Sequence, residues 1–293
     1  MVAFNASKLN LPFMKYRLYA IVISLVLVAA SLGLTATKGL NLSVDFTGGL
    51  VLQVEFSSQV QVSDIRASLS RIGQGQAIIQ AYNNNEVLIR FQAQDEKIRR
   101  EVLETLKKDF GGLKVLKIDK VGPVVGKELR AQAMVSLSLA LVGILIYMAF
   151  RFKFRFGVAA VVALLHDSII MLGAYSLTGK EVSVAFIAAI LTVVGYSLND
   201  TIVVLDRVRE NWGMVKTNGI VELMDISINQ TLARTINTSL TTLLPVIAMF
   251  IFGGEVISNF AFAFLVGIVV GTYSSIFIAS SIVAEWYLRY PKI

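Results

Sequence analysis

Val182–Leu205 reads VSVAFIAAILTVVGYSLNDTIVVL, a stretch in which Asp200 is the one charged side chain. A membrane crossing needs about 20 predominantly apolar residues to cover roughly 30 Å of hydrocarbon, and this stretch has that length with a carboxylate left inside it. Five further stretches have the same character, at 18–37, 131–150, 156–177, 236–253 and 258–287. The composition of the chain agrees, with 55% hydrophobic residues, 16% charged residues and a mean hydropathy of +0.69; soluble domains average about 45–50% apolar and about 25% charged. The expected fold class is an α-helical polytopic membrane protein with six transmembrane helices. The stretch at 18–37 is longer than the apolar core of a cleavable signal, so it is expected to stay as an anchor.

The net charge of +7 does not point to nucleic acid, because the bases gather at the ends of apolar runs rather than along a stripe. Lys8, Lys15 and Arg17 precede the first run, Arg151, Lys153 and Arg155 part the second from the third, Arg207, Arg209 and Lys216 follow the fourth, and Arg289 and Lys292 close the chain. The opposite loops, 178–181 and 253–256, hold Lys180 as their one base. Positive loops stay inside, so both termini, the tail 1–17 and the connector 206–235 are expected in the cytoplasm, with residues 38–130 outside. Cysteine is absent and a single His is present, which excludes a disulfide framework, thiolate chemistry and cysteine- or histidine-rich metal sites. No cofactor is expected.

Residues 38–130 have the texture of a small α+β domain. Leu50–Phe56 is strand-like, Ser63–Ile72 has helical spacing, and Ala77–Tyr82 and Glu86–Phe91 are apolar runs joined by Asn83–Asn85, a turn composition. Asp95–Phe110 is a charged amphipathic helix with Ile98, Val102, Leu103 and Leu106 on one face, stopped by Gly111-Gly112, and Leu113–Val121 alternates again. The order β-α-β-β-α-β is the ferredoxin-like pattern. Its acids and bases nearly balance, which argues again against nucleic acid. Many functions share this fold, so lever, binding head and spacer all stay open.

Ionisable residues inside a span cost roughly 2.5–3.5 kcal/mol on insertion scales and mark function. His166 and Asp167 lie in the third span, Asp200 in the fourth and Arg234 at the start of the fifth, among the polar residues Ser197, Asn199, Thr201, Thr235 and Thr238. Asp200 lies roughly 27 Å and Arg234 roughly 28 Å from the outer ends of their spans at 1.5 Å per residue, so antiparallel helices bring them to one depth. The pair can be a static bridge between helices. Desolvation can cancel the gain of such a bridge, and a reversible proton relay uses the same parts: burial disfavours the charge of Asp200, a nearby Arg234 favours it. His166 and Asp167 point about 100° apart, so proton pathway and helix packing both stay open for them. Pro245 removes a backbone bond and invites a hinge in the fifth span, Gly267 and Gly271 form a small-xxx-small packing face in the sixth, and Val221–Thr231 is either an interfacial helix or a plain connector.

Several of these stretches are similar to those of one known family. Asp45-Phe46-Thr47-Gly48-Gly49, Leu165-His166-Asp167, the run from Gly195 to Arg207 and Arg234-Thr235-Ile236-Asn237-Thr238-Ser239 resemble, in order, signatures of the SecF branch of the SecD/SecF protein-export family, within the resistance–nodulation–division (RND) superfamily. The resemblance implies an RND-like half in the bacterial inner membrane that is not an enzyme. It implies partners SecD, the SecYEG channel, YidC and the translocating preprotein, and use of the proton-motive force, with H⁺ or alternatively Na⁺ as coupling ion. On it Asp200 is the proton-binding carboxylate and Arg234 its switching partner. The rival readings are an RND-like exporter subunit for small molecules or lipids and an assembly scaffold. Asp45–Gly49 has its own reading, a domain–membrane junction in which Gly48-Gly49 permits a tight turn and Asp45 caps or pairs with it.

Overall fold

The computed structural model describes residues 11–81, 85–91 and 96–291, and of residues 123, 255 and 256 the backbone alone. Lys8, Tyr82, Asn83, Asn84, Asp95 and Lys292, which enter the expectations above, lie outside these residues. The chain divides into two compact units, Met1–Asn41 with Ser136–Ile293 and Leu42–Val135.

Among the described residues five helical runs are long and apolar enough to cross a membrane: Phe13–Thr37, Val124–Arg151, Phe154–Thr178, Val184–Phe252 and Ile257–Arg289. Six are expected from the sequence. The count drops because residues 206–235 carry the helical run onward instead of interrupting it: α7 (Val184–Glu210) passes through a 3₁₀ turn at Asn211–Met214 into α8 (Val215–Phe252). Gly219, with φ of 77°, breaks the helix once, and the backbone from Ile220 to Phe252 is helical. Val221–Thr231 is therefore the first part of the helix that holds Arg234. The hinge expected at Pro245 brings no non-helical backbone with it; membrane helices tolerate proline without breaking.

In the helical unit α6 (Phe154–Thr178) is the most enclosed helix, and it buries a series of small side chains that includes Ala159, Ala160, Ala163 and Gly173. The buried residues of α1 (Arg17–Thr37) are likewise small: Ala20, Ser24 and Ser31. A Cβ at Gly173 would collide with Ser31. α9 (Gly254–Tyr273) meets α7 in the same way, since a Cβ at Gly267 would lie 2.5 Å from Val193 Cγ1 and one at Gly271 2.9 Å from Ser197 Cβ. The expected sixth span is not one regular helix: a π-helical turn at Ser274–Ala279 separates α9 from α10 (Ser280–Arg289). Ahead of α1, Met14 N–H donates to Asp225 Oδ1 (2.8 Å), and Leu11 exchanges two hydrogen bonds with the Asn229 amide (3.0 and 2.9 Å).

In the second unit the central strand β2 (Gly49–Phe56) pairs antiparallel with β4 (Glu86–Phe91) and β5 (Leu113–Val121), and β3 (Ile78–Ala81) closes the far side of β4. The strand order is β3-β4-β2-β5, with the two-residue strands β1 (Asn41–Leu42) and β6 (Glu181–Val182) outside this sheet. Alternation sends Leu50, Leu52, Val54 and Phe56 to the face covered by α3 (Val62–Arg71) and α4 (Glu96–Phe110), where Ile65, Leu69, Val102 and Leu106 complete the core. The opposite face buries Val51 and Leu88 beneath Val44 of the short helix α2 (Val44–Thr47). α2 carries the first half of the Asp45–Gly49 segment. Its N-cap is Ser43, whose hydroxyl accepts from the Asp45 N–H (3.2 Å). Gly48 (φ 70°) and Gly49 (φ 135°) then turn the chain into β2, in a conformation that side chains resist. α5 (Pro123–Arg151) starts inside this unit, and a Cβ at its Gly126 would lie 3.1 Å from Gly48 N and from Phe46 O.

Close packing of this kind is sensitive to one methyl group. Gly173→Ala should destabilise the protein by about 1–3 kcal/mol through overpacking, read as a lower unfolding temperature in detergent. Gly143→Ala, where a Cβ meets nothing within 4 Å, should instead stabilise by up to about 1 kcal/mol through helix propensity.

Candidate functional site

Ser197, Asp200, Thr201 and Val204 occupy positions i, i+3, i+4 and i+7 of α7, one face of a helix, and all four are buried. Asp200 is 2% exposed, and its Oδ2 has no hydrogen-bond partner. The groups of α8 that act on it are the Arg234 charge and the Thr238 hydroxyl. Among the described residues no Lys or Arg nitrogen comes within 4.0 Å of it, so Asp200 and Arg234 face each other without closing an ion pair. Arg234 is exposed and, with Asn199, Asp206, Glu210 and Gln230, lines a polar groove of about 290 Å³ between α7 and α8.

One turn away along α7 the second carboxylate is held differently. Asp167 Oδ2 accepts from Ser197 Oγ (2.7 Å) and from Ser274 Oγ (2.8 Å), and its Oδ1 lies 2.9 Å from His166 Nδ1. Asp167 is 1% exposed. His166 is buried as well; it borders an apolar cavity of about 280 Å³ with Ile21, Leu25 and Ile278. The two neighbours thus face different surroundings while bonded to each other.

The π turn supplies what the sequence reading missed. Tyr273, Ser274 and Ser275 are consecutive, and each reaches a different helix. Tyr273 OH donates to Ala20 O of α1 (2.9 Å), Ser274 to Asp167 of α6, and Ser275 Oγ lies 2.8 Å from Thr201 Oγ1 of α7. Successive residues of a helix point about 100° apart, which is how one turn touches three neighbours. The signal available in the sequence was a polar triplet in the middle of an apolar span, masked there by the glycine spacing just before it.

Other expected residues stand apart from this cluster. Thr235 is buried with its hydroxyl unpartnered, and Pro245 is exposed. Asp45–Gly49 belongs to the other unit, where Thr47 and Gly48 border a groove of about 480 Å³ with Gln74, Ile78 and Arg90. Among the described residues no three His, Asp or Glu side chains converge to hold a metal ion.

Residues 101–289 match the family model described as protein export membrane protein SecD/SecF, C-terminal, and residues 33–60 match the SecD/SecF GG motif. The protein translocase subunit SecF of Desulfurispirillum indicum is 47% identical over 96% of this chain and 93% of its own length. That of Haemophilus influenzae is 43% identical over 97% and 90%. The crystal structure of SecDF from Thermus thermophilus, titled a translocon-associated membrane protein, superposes with a TM-score of 0.90 at 42% identity over 96% of this chain, which spans 39% of that one.

The two carboxylates should differ in what their removal costs. Asp167→Ala leaves the Ser197 hydroxyl and His166 Nδ1 without the carboxylate they face, while Ser274 keeps Gly271 O; at about 1–3 kcal/mol for a buried orphan it should lower the unfolding temperature by several degrees. Asp200→Asn discards a buried acid whose Oδ2 has no partner and should leave that temperature unchanged or raise it.

Proposed function

The chain belongs to the SecD/SecF family of protein export membrane proteins, and from that premise we propose that it converts a proton gradient into work on a polypeptide leaving the Sec channel. Its place as an accessory subunit of Sec protein translocation follows from the family. The proton-driven step is the reading added here. It rests on one observation above all: Asp200 is enclosed, has an oxygen without a partner, and faces an arginine that has not closed on it. In this reading the carboxyl takes up a proton while Arg234 stands off in the polar groove and gives it up when Arg234 closes.

In this proposal α7 and α8 are separate crossings, so the chain crosses six times, with both termini in the cytoplasm of a bacterial inner membrane as the basic loops require. The Leu42–Val135 unit is an extracytoplasmic ferredoxin-like domain; its strand order, with both outer strands reached by helical crossovers, supports that. The partners are a SecD subunit, the SecYEG channel, YidC and the preprotein. The subunit transports and is not an enzyme. A proton crossing about 150 mV supplies roughly 3.5 kcal/mol. Driving a two-state element from 1:99 to 99:1 takes about 5.5 kcal/mol, so a pH gradient or a second proton contributes the remainder.

The test is export into inverted vesicles that carry this subunit with its partners. Asp200→Asn should reduce gradient-stimulated export to the level seen with a protonophore, with expression and assembly unchanged. Full activity in that variant, or in a double variant with Asp200→Leu and Arg234→Met, would leave a scaffold in place of an engine. Loss of export on Na⁺ depletion, with protonophore harmless, would replace H⁺ by Na⁺.

A further inference from the structure

The proposed engine uses Asp200 and leaves unexplained a second carboxylate enclosed more completely. Asp167 is 1% exposed in the helical unit. Among the described residues no Lys or Arg nitrogen stands within 4.0 Å of it. The groups that face it come from three elements: His166 on its own helix, Ser197 on α7 and Ser274 on the π turn, with the Tyr273 ring 6.3 Å from the imidazole. A carboxylate enclosed without a Lys or Arg beside it is costly, and the two serine hydroxyls lessen that cost without neutralising the charge.

The hydrogen bonds around it are complete in either protonation state. Ser274 Oγ lies 2.8 Å from Asp167 Oδ2 and 3.1 Å from Gly271 O, and one hydroxyl donates to one of them at a time. With Asp167 charged, Ser274 donates to Oδ2. When a proton is taken up on Oδ2, the new O–H donates to Ser274 Oγ and the Ser274 hydrogen turns to Gly271 O. Ser197 continues to donate to Oδ2, and the imidazole keeps Oδ1. No buried group loses its partner, so the exchange avoids the penalty that makes a static buried charge rigid. Next in sequence, Ser275 Oγ is 2.8 Å from Gly271 O and 2.8 Å from Thr201 Oγ1, and Thr201 follows Asp200 on α7. On the other side His166 Nε2 is buried and without a partner, a position from which an imidazole can pass a proton on. The His166 nitrogen beside Oδ1 takes the place a Na⁺ would need.

We propose that Asp167 is a second proton-carrying carboxylate of this subunit, exchanging its proton through the hydroxyls of Ser197 and Ser274, with His166 as its relay. This rests on the proton-driven reading of Asp200 and supplies a second charge to the same cycle. Taking up a proton adds one H⁺ to Asp167 Oδ2 and releasing it restores the carboxylate; no other bond changes.

The experiment is a pH titration of the full chain with its SecD partner in lipid, followed by infrared difference spectroscopy of protonated carboxyl C=O bands, alongside gradient-driven export. Asp167→Asn should remove one pH-dependent band, different from the one Asp200→Asn removes, and should lower gradient-driven export by about tenfold or more. Ser274→Ala should shift the Asp167 band while the complex still assembles. A full set of bands in Asp167→Asn, or export within about twofold of the unaltered protein, would make Asp167 a fixed anchor and overturn the inference. If Asp167→Asn does not assemble, Ser274→Ala decides, and an unmoved band overturns it. Loss of export in Asp200→Asn with full export in Asp167→Asn sinks this inference alone. The reverse pattern sinks the Asp200 reading, and with it Asp167 as the second carrier of that cycle.

Discussion

Where α9 crosses α7, the hydrogens of Gly267 and Gly271 lie against Val193 and Ser197, with no room for a methyl group at either glycine. Helices in lipid gain little from apolar burial against one another, and close approach through small residues is what holds them. Here that approach does a second thing. By bringing the backbone of α9 onto Ser197, it sets Tyr273, Ser274 and Ser275 one turn further on at the level of the buried polar residues of α6 and α7. The π turn follows at once, and the consecutive side chains of Tyr273, Ser274 and Ser275 at its start reach α1, α6 and α7. The polar cluster is a product of the glycine contact, since every donor within the hydrocarbon needs an acceptor supplied by the protein.

The two carboxylates show how differently one helix face can treat the same group. Asp167 is tied into three elements and has all its bonds. Asp200, a turn along α7 from Ser197, has an idle oxygen and faces an arginine that has not closed on it. Breaking up a satisfied network is costly, whereas an incomplete one lies near a change of state. That contrast, more than depth or charge, separates a group near a change of state from one that holds neighbours in register.

Much of this was legible in the sequence. Hydropathy located the helices, alternation located β2 and β5, and charges inside apolar runs located Asp167, Asp200 and Arg234. What escaped had a common cause, which is that local pattern says little about backbone continuity or long-range partners. Residues 206–235 are too polar to read as a span, yet they are helical, because packing against α7 and the N-terminal segment supplies what hydropathy does not. The short helix Val44–Thr47 also escaped, because its one signal is Ser43 in the N-cap position. Ser274 and Ser275 carried no periodic signal at all; their role depends on a π turn that hydropathy and helical spacing do not announce.

The ties between residues 11–14 and α8 carry a consequence in time. Leu11 and Met14 bind Asn229 and Asp225, partners that lie 218 and 211 residues further along the chain. At about 5–20 residues per second the ribosome reaches them some ten to forty seconds after the first helix has been made. Throughout that interval α1 sits in the membrane with its leading segment unanchored. The segment ahead of α1 thus closes only once α8 has been made.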